Sequence, residues 1–269
     1  MSTVVAFHAH PDDESLIMGG SLARASREGH RVVLVVATNG DHGEIPDDLA
    51  PGETLIDRRK RETQASCDVL GVHRLVWLGY CDSGMTGWEQ NELPGAFVAA
   101  DVDEAAQRLA DVLLEERADV FTVYDWHGNY GHPDHIQVHK VGHRAAAIAG
   151  TKNVFETTMN RDHFRMVYQR AKENAVQFPD SAPSEDFNPD GPADDGNPMG
   201  EPANEISHRV DVADYCDLKL KAIACHASQI SDSSFFGNMG LEIFQMMFGH
   251  EWFKKVGESG PPRDVWLFD

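Results

Sequence analysis

Short apolar runs alternate with amphipathic segments through the first 150 residues. Residues 3–8 (TVVAFH) are a β-branched apolar run, and residues 16–28 follow with helical spacing and stop at Gly29. The run 31–38 (RVVLVVAT) is nearly continuous in valine and leucine, which predicts a parallel strand covered on both faces. A polar stretch, 39–52, leads to a helix over 54–70 that ends at Gly71, and 74–78 reads as a third strand. A long loop over 79–99 precedes a helix at 102–116, a fourth strand at 119–124 (DVFTVY), a helix at 135–148 ending at a glycine, and a fifth strand at 154–157. This repetition predicts an α/β fold: a Rossmann-like doubly wound, mostly parallel sheet flanked by helices.

The second half is more irregular. A helix is predicted at 162–174, a strand at 208–212, helices at 215–228 and 241–248, and a last edge strand at 265–268. Residues 178–205 hold six prolines, eight acidic residues and no Lys or Arg, so they cannot bury enough apolar surface to form core. They read as an acidic, Pro-rich surface loop, partly disordered or folded over the domain. No internal repeat is visible, and the reading is of one domain, 1–269.

The charge balance changes the picture of partners. Forty-four acidic residues against 23 basic give a net charge of −21, a field that repels phosphate backbones and anionic bilayers. Nucleic acid and membrane are therefore excluded as expected partners; the charge would suit a neutral or cationic small molecule, though such acidity more often serves solubility than ligand choice, and homo-oligomerisation is left open. The N-terminus lacks a basic region followed by a long apolar stretch, and no 18-residue apolar run occurs. Four cysteines without a C-x-x-C pair fit free thiols, and the expected location is cytoplasmic.

Two turns carry the chemistry. His10-Pro11-Asp12-Asp13-Glu14 directly follows the first strand, where ligands bind in open α/β sheets. Acids at a helix start are favoured by the helix dipole, but that explains neither the preceding histidine nor three adjacent carboxylates, which repel one another. A bound cation resolves both. His10 and Asp13 can offer one nitrogen and one oxygen to a single ion, leaving Asp12 free to act on a water. The second turn, Tyr124 to His135 (YDWHGNYGHPDH), follows the fourth strand and opens a helix with His-Pro-Asp-His. Strands one and four are neighbours at the switch point of a doubly wound sheet, so both turns face one crevice. One nitrogen from the second turn completes a His/Asp/His set, and three protein ligands with an open position are the pattern of a catalytic zinc. His139, one turn beyond His135, could pair with it on the same helix face but reads better as a core-edge histidine. Trp88 and Trp126 are candidates for a sugar-stacking wall.

HPDDE at 10–14 and HPDH at 132–135, about 120 residues apart and each after a buried strand, together resemble the PIG-L/LmbE-like family of metal-dependent deacetylases. The likeness extends to Arg59-x-x-Glu62 with Leu70-Gly71, Asp82-Ser83-Gly84-Met85, Tyr130, residues 205–212 (EISHRVDV) and His226-x-Ser228-Gln229. Within the family it is nearest the branch that handles mycothiol, its biosynthetic deacetylase and the S-conjugate amidase. The resemblance implies His10, Asp13 and His135 as zinc ligands, with Fe(II) able to occupy the same donors, and Asp12 as general base. It implies His132 as oxyanion donor oriented by Asp134, Tyr130 as an assisting hydroxyl, and Arg59, Asp82 and Glu14 as substrate contacts. The implied activity is removal of an N-acetyl group from a glucosamine-containing small molecule. The alternatives are a mycothiol S-conjugate amidase and a deacylase of an amino sugar on a secondary metabolite. More remote are a non-haem Fe(II) oxygenase, which uses two histidines and a carboxylate, and a non-catalytic metal-binding module.

Overall fold

Runs of valine and leucine without polar alternation are stable only with both faces covered. In the computed structural model, which describes residues 1–175, 188, 190–230 and 240–269, two such runs form β1 (Thr3–His8) and β2 (Arg31–Thr38), parallel neighbours in register from Thr3↔Arg31 to His8↔Val36. Among the described residues the sheet has eight strands in the order β3-β2-β1-β4-β5-β7-β6-β8. Its other members are β3 (Arg74–Tyr80), β4 (Val120–Tyr124), β5 (Val154–Thr158), β6 (His208–Asp211), β7 (His250–Lys255) and β8 (Arg263–Asp264). β1 to β5 run parallel, while β7 lies antiparallel between β5 and β6. The sheet is thus mostly parallel with an antiparallel extension, and the chain changes direction of progress between β1 and β4.

The two-residue period of the strands sorts side chains onto two cores. Val5, Phe7 and Ala9 pack with α3 (Val102–Glu116) and α4 (Pro133–Ala149) on one face. Val4 and Ala6 pack on the other face with residues of α1 (Asp13–Arg27), α2 (Leu55–Leu70) and α6 (Cys216–Cys225). Local signals set the helix ends. Thr54 and Asp57 form a reciprocal capping box on α2, Gly71 closes that helix at φ 75°, and Pro133 occupies the first turn of α4, where a missing N–H costs nothing. α5 (Arg161–Ala175) and α7 (Leu241–Phe248) complete the described helices. None of these is long and apolar enough to cross a membrane.

Three expectations need correction. β7 was not anticipated; its sequence HEWFKK carries charge at both ends and gains its place only by pairing with distant β5 and β6. The last edge strand is Arg263–Asp264 and not 265–268: Trp266 and Leu267 are buried in the second core, within a turn in which Trp266 N–H donates to Asp269 Oδ2 at 2.9 Å. α1 begins earlier than residue 16 and breaks at Met18 (φ −139°). The break creates an internal helix start, and the N–H groups of Gly20 and Ser21 donate to Glu251 Oε1 and Oε2 at 2.9 and 2.7 Å. Lys219 Nζ, 2.6 Å from Glu251 Oε1, neutralises that buried carboxylate. Of the acidic segment, 178–187 lie outside the described residues. The part from 190 to 205 folds over the domain, with Gly200 N–H donating to Asn129 O at 2.7 Å and Glu201 N–H to Met159 O at 2.9 Å.

Candidate metal centre and catalytic crevice

The turns after β1 and β4 meet at the switch point. His10 Nδ1 lies 3.3 Å from His135 Nε2, and Asp13 Oδ2 lies 3.4 Å from each of them. Three donor atoms at nearly equal spacing form one face of a tetrahedron, and ligands about 2.0–2.1 Å from a zinc ion would sit about 3.3–3.4 Å apart. The tautomers agree with that fit. His135 Nδ1 is 3.1 Å from the carbonyl of Gly128, and His10 Nε2 is 3.1 Å from Asp134 Oδ2. Each ring therefore holds its proton on the outer side and turns a lone pair inward, the arrangement that outer hydrogen bonds impose on metal-binding imidazoles. Two lone pairs and a carboxylate oxygen this close repel one another unless positive charge lies between them. Burial disfavours charge on His10, yet Asp82, Asp13 and Asp134 hold its pKa well above the ordinary imidazole value. The carboxylates thus draw positive charge to this point, whether a proton on His10 or an ion between the three donors, and the donor set fits a divalent ion.

Asp134 acts elsewhere than expected. Its carboxylate accepts from His10 Nε2, from Ser83 N–H at 2.9 Å and from the Ser83 hydroxyl, so it orients His10 and not His132. The tautomer of His132 is set instead by backbone. His132 caps α4, and its Nδ1 accepts the Asp134 N–H at 3.1 Å, which leaves the ring proton on Nε2. Burial, reinforced by His10 and His135, pushes the His132 pKa down to about 2, so the ring is a neutral donor. Its ring centroid is 4.6 Å from that of His10 and 5.2 Å from that of His135. Tyr130 Oη is 3.4 Å from His135 Nε2, and burial raises its pKa, keeping the phenol protonated. Asp82 Oδ1 lies 3.6 Å from His10 Nε2 and accepts from Gly84 N–H at 2.8 Å.

Asp12 has φ 115°, a left-handed conformation that costs a non-glycine residue about 1–3 kcal/mol. Its surroundings over-determine that geometry. Asp12 N–H donates to Glu14 Oε2 at 3.1 Å, and its carbonyl accepts from Ser15 N–H and Leu16 N–H. Arg59 Nη2 donates to Pro11 O at 2.6 Å and to Asp12 Oδ2 at 3.2 Å, while Nη1 donates to Gly40 O at 2.8 Å. Arg59 is thus a buried clamp within a basic run that otherwise reads as a solvated face. Burial pushes the Asp12 pKa up to about 6 despite the opposing charge of Arg59. Glu14, expected to touch substrate, is fully buried: Oε1 accepts from Ser66 Oγ at 2.5 Å and from His226 Nε2 at 2.7 Å. Its oxygens are consumed inside the protein.

The acidic segment supplies a wall of the crevice that charge pattern alone did not reveal. Asp194 N–H donates to Tyr130 O at 2.9 Å, and Asp194 Oδ2 accepts from Thr86 N–H at 3.1 Å. Asp195 packs on Gly131 so closely that a Cβ there would sit 2.4 Å from its backbone nitrogen. Trp88 and Trp126 are about half exposed, at 48% and 51%.

Comparison with known proteins points the same way. A family model described as PIG-L, GlcNAc-PI de-N-acetylase, matches residues 5–146. A 1D-myo-inositol 2-acetamido-2-deoxy-alpha-D-glucopyranoside deacetylase of Nocardiopsis dassonvillei is 41% identical over 237 residues, 83% of each chain. The Streptomyces avermitilis protein of the same name is 37% identical over 279 residues, 97% of this chain and 95% of its own. The solved N,N'-diacetylchitobiose deacetylase of Pyrococcus horikoshii superposes with a TM-score of 0.60 over 94% of this chain and 83% of its own, at 23% identity, a likeness of fold.

Proposed function

Because this chain belongs to the PIG-L family of GlcNAc-PI de-N-acetylases, we propose that it hydrolyses the acetamido group of a glucosaminyl-inositol, releasing acetate and a primary amine. The observation that carries the proposal is the triangle of His10 Nδ1, Asp13 Oδ2 and His135 Nε2, 3.3–3.4 Å on a side. These three side chains would hold zinc, with Fe(II) as an alternative occupant. When bound, the ion supplies Lewis acidity that can bring the pKa of water to about 7.

Position and charge support a role for each remaining residue. Asp12, next in the chain to Asp13 and with a pKa of about 6, takes a proton from the attacking water and passes it to the departing amine. His132, neutral with its proton on Nε2, donates to the oxyanion that develops on the acetamido oxygen. Tyr130 adds a second hydroxyl donor beside His135. Asp82, beside His10, and the half-exposed indoles of Trp88 and Trp126 are the groups offered to the sugar. Sugar hydroxyls suit these groups better than a phosphate would, because the guanidinium of Arg59 is turned inward.

The test is amine and acetate release from 2-acetamido-2-deoxy-glucopyranosyl inositol, with chelator-stripped and zinc-reloaded protein. Turnover that appears only on reloading supports the proposal. A metal-loaded protein inert toward this substrate, or one that turns over a bulkier amide conjugate faster, overturns the substrate assignment.

A further inference from the structure

α4 carries a second group of metal-capable side chains on the turns beyond the catalytic ones. His139 and His143 stand four residues apart, so their rings share one helix face, with centroids 4.4 Å apart. Glu156, from β5, reaches this face: its Oε1 is 2.8 Å from His143 Nε2 and 3.6 Å from His139 Nδ1. A ring nitrogen of each histidine and a carboxylate oxygen of Glu156 lie within 4.8 Å of one another. His139 Nδ1 is 3.0 Å from the carbonyl of Tyr124 and so carries the ring proton, which leaves Nε2 as the nitrogen of this ring that can ligate.

A second observation concerns charge. Glu156 is only 8% exposed and stands on a strand paired on both sides. A carboxylate so placed needs a compensating positive group. Its cross-strand neighbour Lys254 turns its ammonium to Glu205, 3.8 Å away. Among the described residues, no Lys or Arg lies within ion-pair distance of Glu156; the two imidazoles are what face it.

We propose that His139, His143 and Glu156 form a second divalent-metal site, separate from the catalytic triangle. Two imidazole nitrogens and one carboxylate oxygen are the donor set of Zn2+, Co2+ and Ni2+ rather than of Mg2+ or Ca2+. The side chains of His139 and His143 are 23% and 30% exposed, so an ion can enter from solvent and keep water on its remaining positions. Loading staples α4 to β5 one turn beyond the residues that build the catalytic crevice, His132, Asp134 and His135. The competing account, a His143 imidazolium paired with Glu156, explains the 2.8 Å contact but binds no metal.

Equilibrium dialysis of the stripped protein against zinc chloride, with bound metal counted by emission spectroscopy, separates the two. The wild type is expected to hold two equivalents. H143A and E156Q are each expected to hold one, with H143A retaining wild-type deacetylase activity. H135A is also expected to hold one, at the second site, so a failure of the catalytic reading would be seen separately. Cobalt(II) gives a second readout, with a set of visible absorption bands lost in H143A and kept in H135A. His143 is partly exposed, so H143A carries the test if E156Q does not fold. One equivalent in the wild type, or a second equivalent that survives H143A, overturns the proposal.

Discussion

Replacing Asp134 distinguishes two accounts of the crevice. Its carboxylate accepts three hydrogen bonds, from His10 Nε2 at 3.1 Å, Ser83 N–H at 2.9 Å and the Ser83 hydroxyl, and contacts His132 only through its backbone. Alanine at 134 removes the nearer partner of the outer nitrogen of His10 in a buried site and leaves only Asp82 Oδ1, 3.6 Å away, so the ring loses much of its tautomer control and orientation. Removing such a partner lowers metal affinity about 10–100-fold, or about 1.4–2.7 kcal/mol. The stranded donors add a folding cost, since a buried unpaired group costs about 1–3 kcal/mol. Asparagine should be milder. Its oxygen can keep the bonds to His10 and Ser83 N–H, and its amide can face the Ser83 hydroxyl, which then acts as acceptor. What is lost is the charge assistance, about half the strength of the His10 bond. Zinc affinity, measured by competition with a chromophoric chelator, should therefore fall in the order wild type, D134N, D134A. Turnover at saturating zinc should recover in large part. Unchanged zinc affinity with collapsed kcat would refute the reasoning and return Asp134 to the orientation of His132.

The other expectations can be stated briefly. D12N should keep the metal and lose about 10²–10⁴-fold in kcat, the contribution of a positioned general base; turnover within tenfold of wild type dismisses that role. H132A should lower kcat about 10²–10³-fold with zinc affinity unchanged, as removal of an oxyanion donor does. Away from the crevice, desolvation holds the pKa of His163 below its ordinary value. The unfolded chain then binds this proton first, so stability contributed by neutral His163 is present above about pH 6.5 and lost as pH falls below it. H163Q, whose amide nitrogen stands where Nε2 does and can still donate to Met247 O, should flatten the fall in Tm on acidification, and an unchanged slope would sink the idea. G131A combines φ 88° with a Cβ 2.4 Å from Asp195 N. It should cost more than about 1 kcal/mol and raise KM by unseating the Asp194–Asp195 wall; a fully stable variant with normal KM argues against that wall.

The parallel half of the fold and the meeting of His10, Asp13 and His135 were legible because both rest on short-range pattern. Buried valine runs mark β1 and β2, and a switch point between β1 and β4 brings the two histidine turns together whatever the loops do. Partner choice was not legible. Asp134 precedes a metal-ligand residue, yet whether its carboxylate or its N–H faces His132 depends on the cap geometry of α4. Glu14 looked like one more acid at a helix start, whereas its oxygens bind groups 52 and 212 residues away. Arg59 sits among Arg58, Lys60 and Arg61, but it falls on the inward stripe with Leu55, Glu62, Thr63 and Ser66. That stripe was visible at helical spacing, although a polar stripe reads as solvated unless the site it faces is known.

The same long-range partners explain why a strained residue can stand beside the candidate metal ligands. The left-handed backbone of Asp12 persists only if its neighbours are fixed more firmly than the strain pulls. Arg59 holds the Pro11 carbonyl on one side, and Glu14 holds the Asp12 N–H on the other. Glu14 is held in turn by Ser66 of α2 and by His226, at the end of α6, with burial opposed by the charge of His226 in lowering its pKa. Further along α1, Glu251 of β7 closes the break at Met18, with Lys219 behind it. The donors thus come from the first 135 residues, while much of their rigidity comes from 216–251. A crevice that must keep three ligand atoms 3.3–3.4 Å apart cannot be separated from the irregular half of the chain, because without those braces Asp12 would relax toward an unstrained turn and carry its carboxylate away from the triangle.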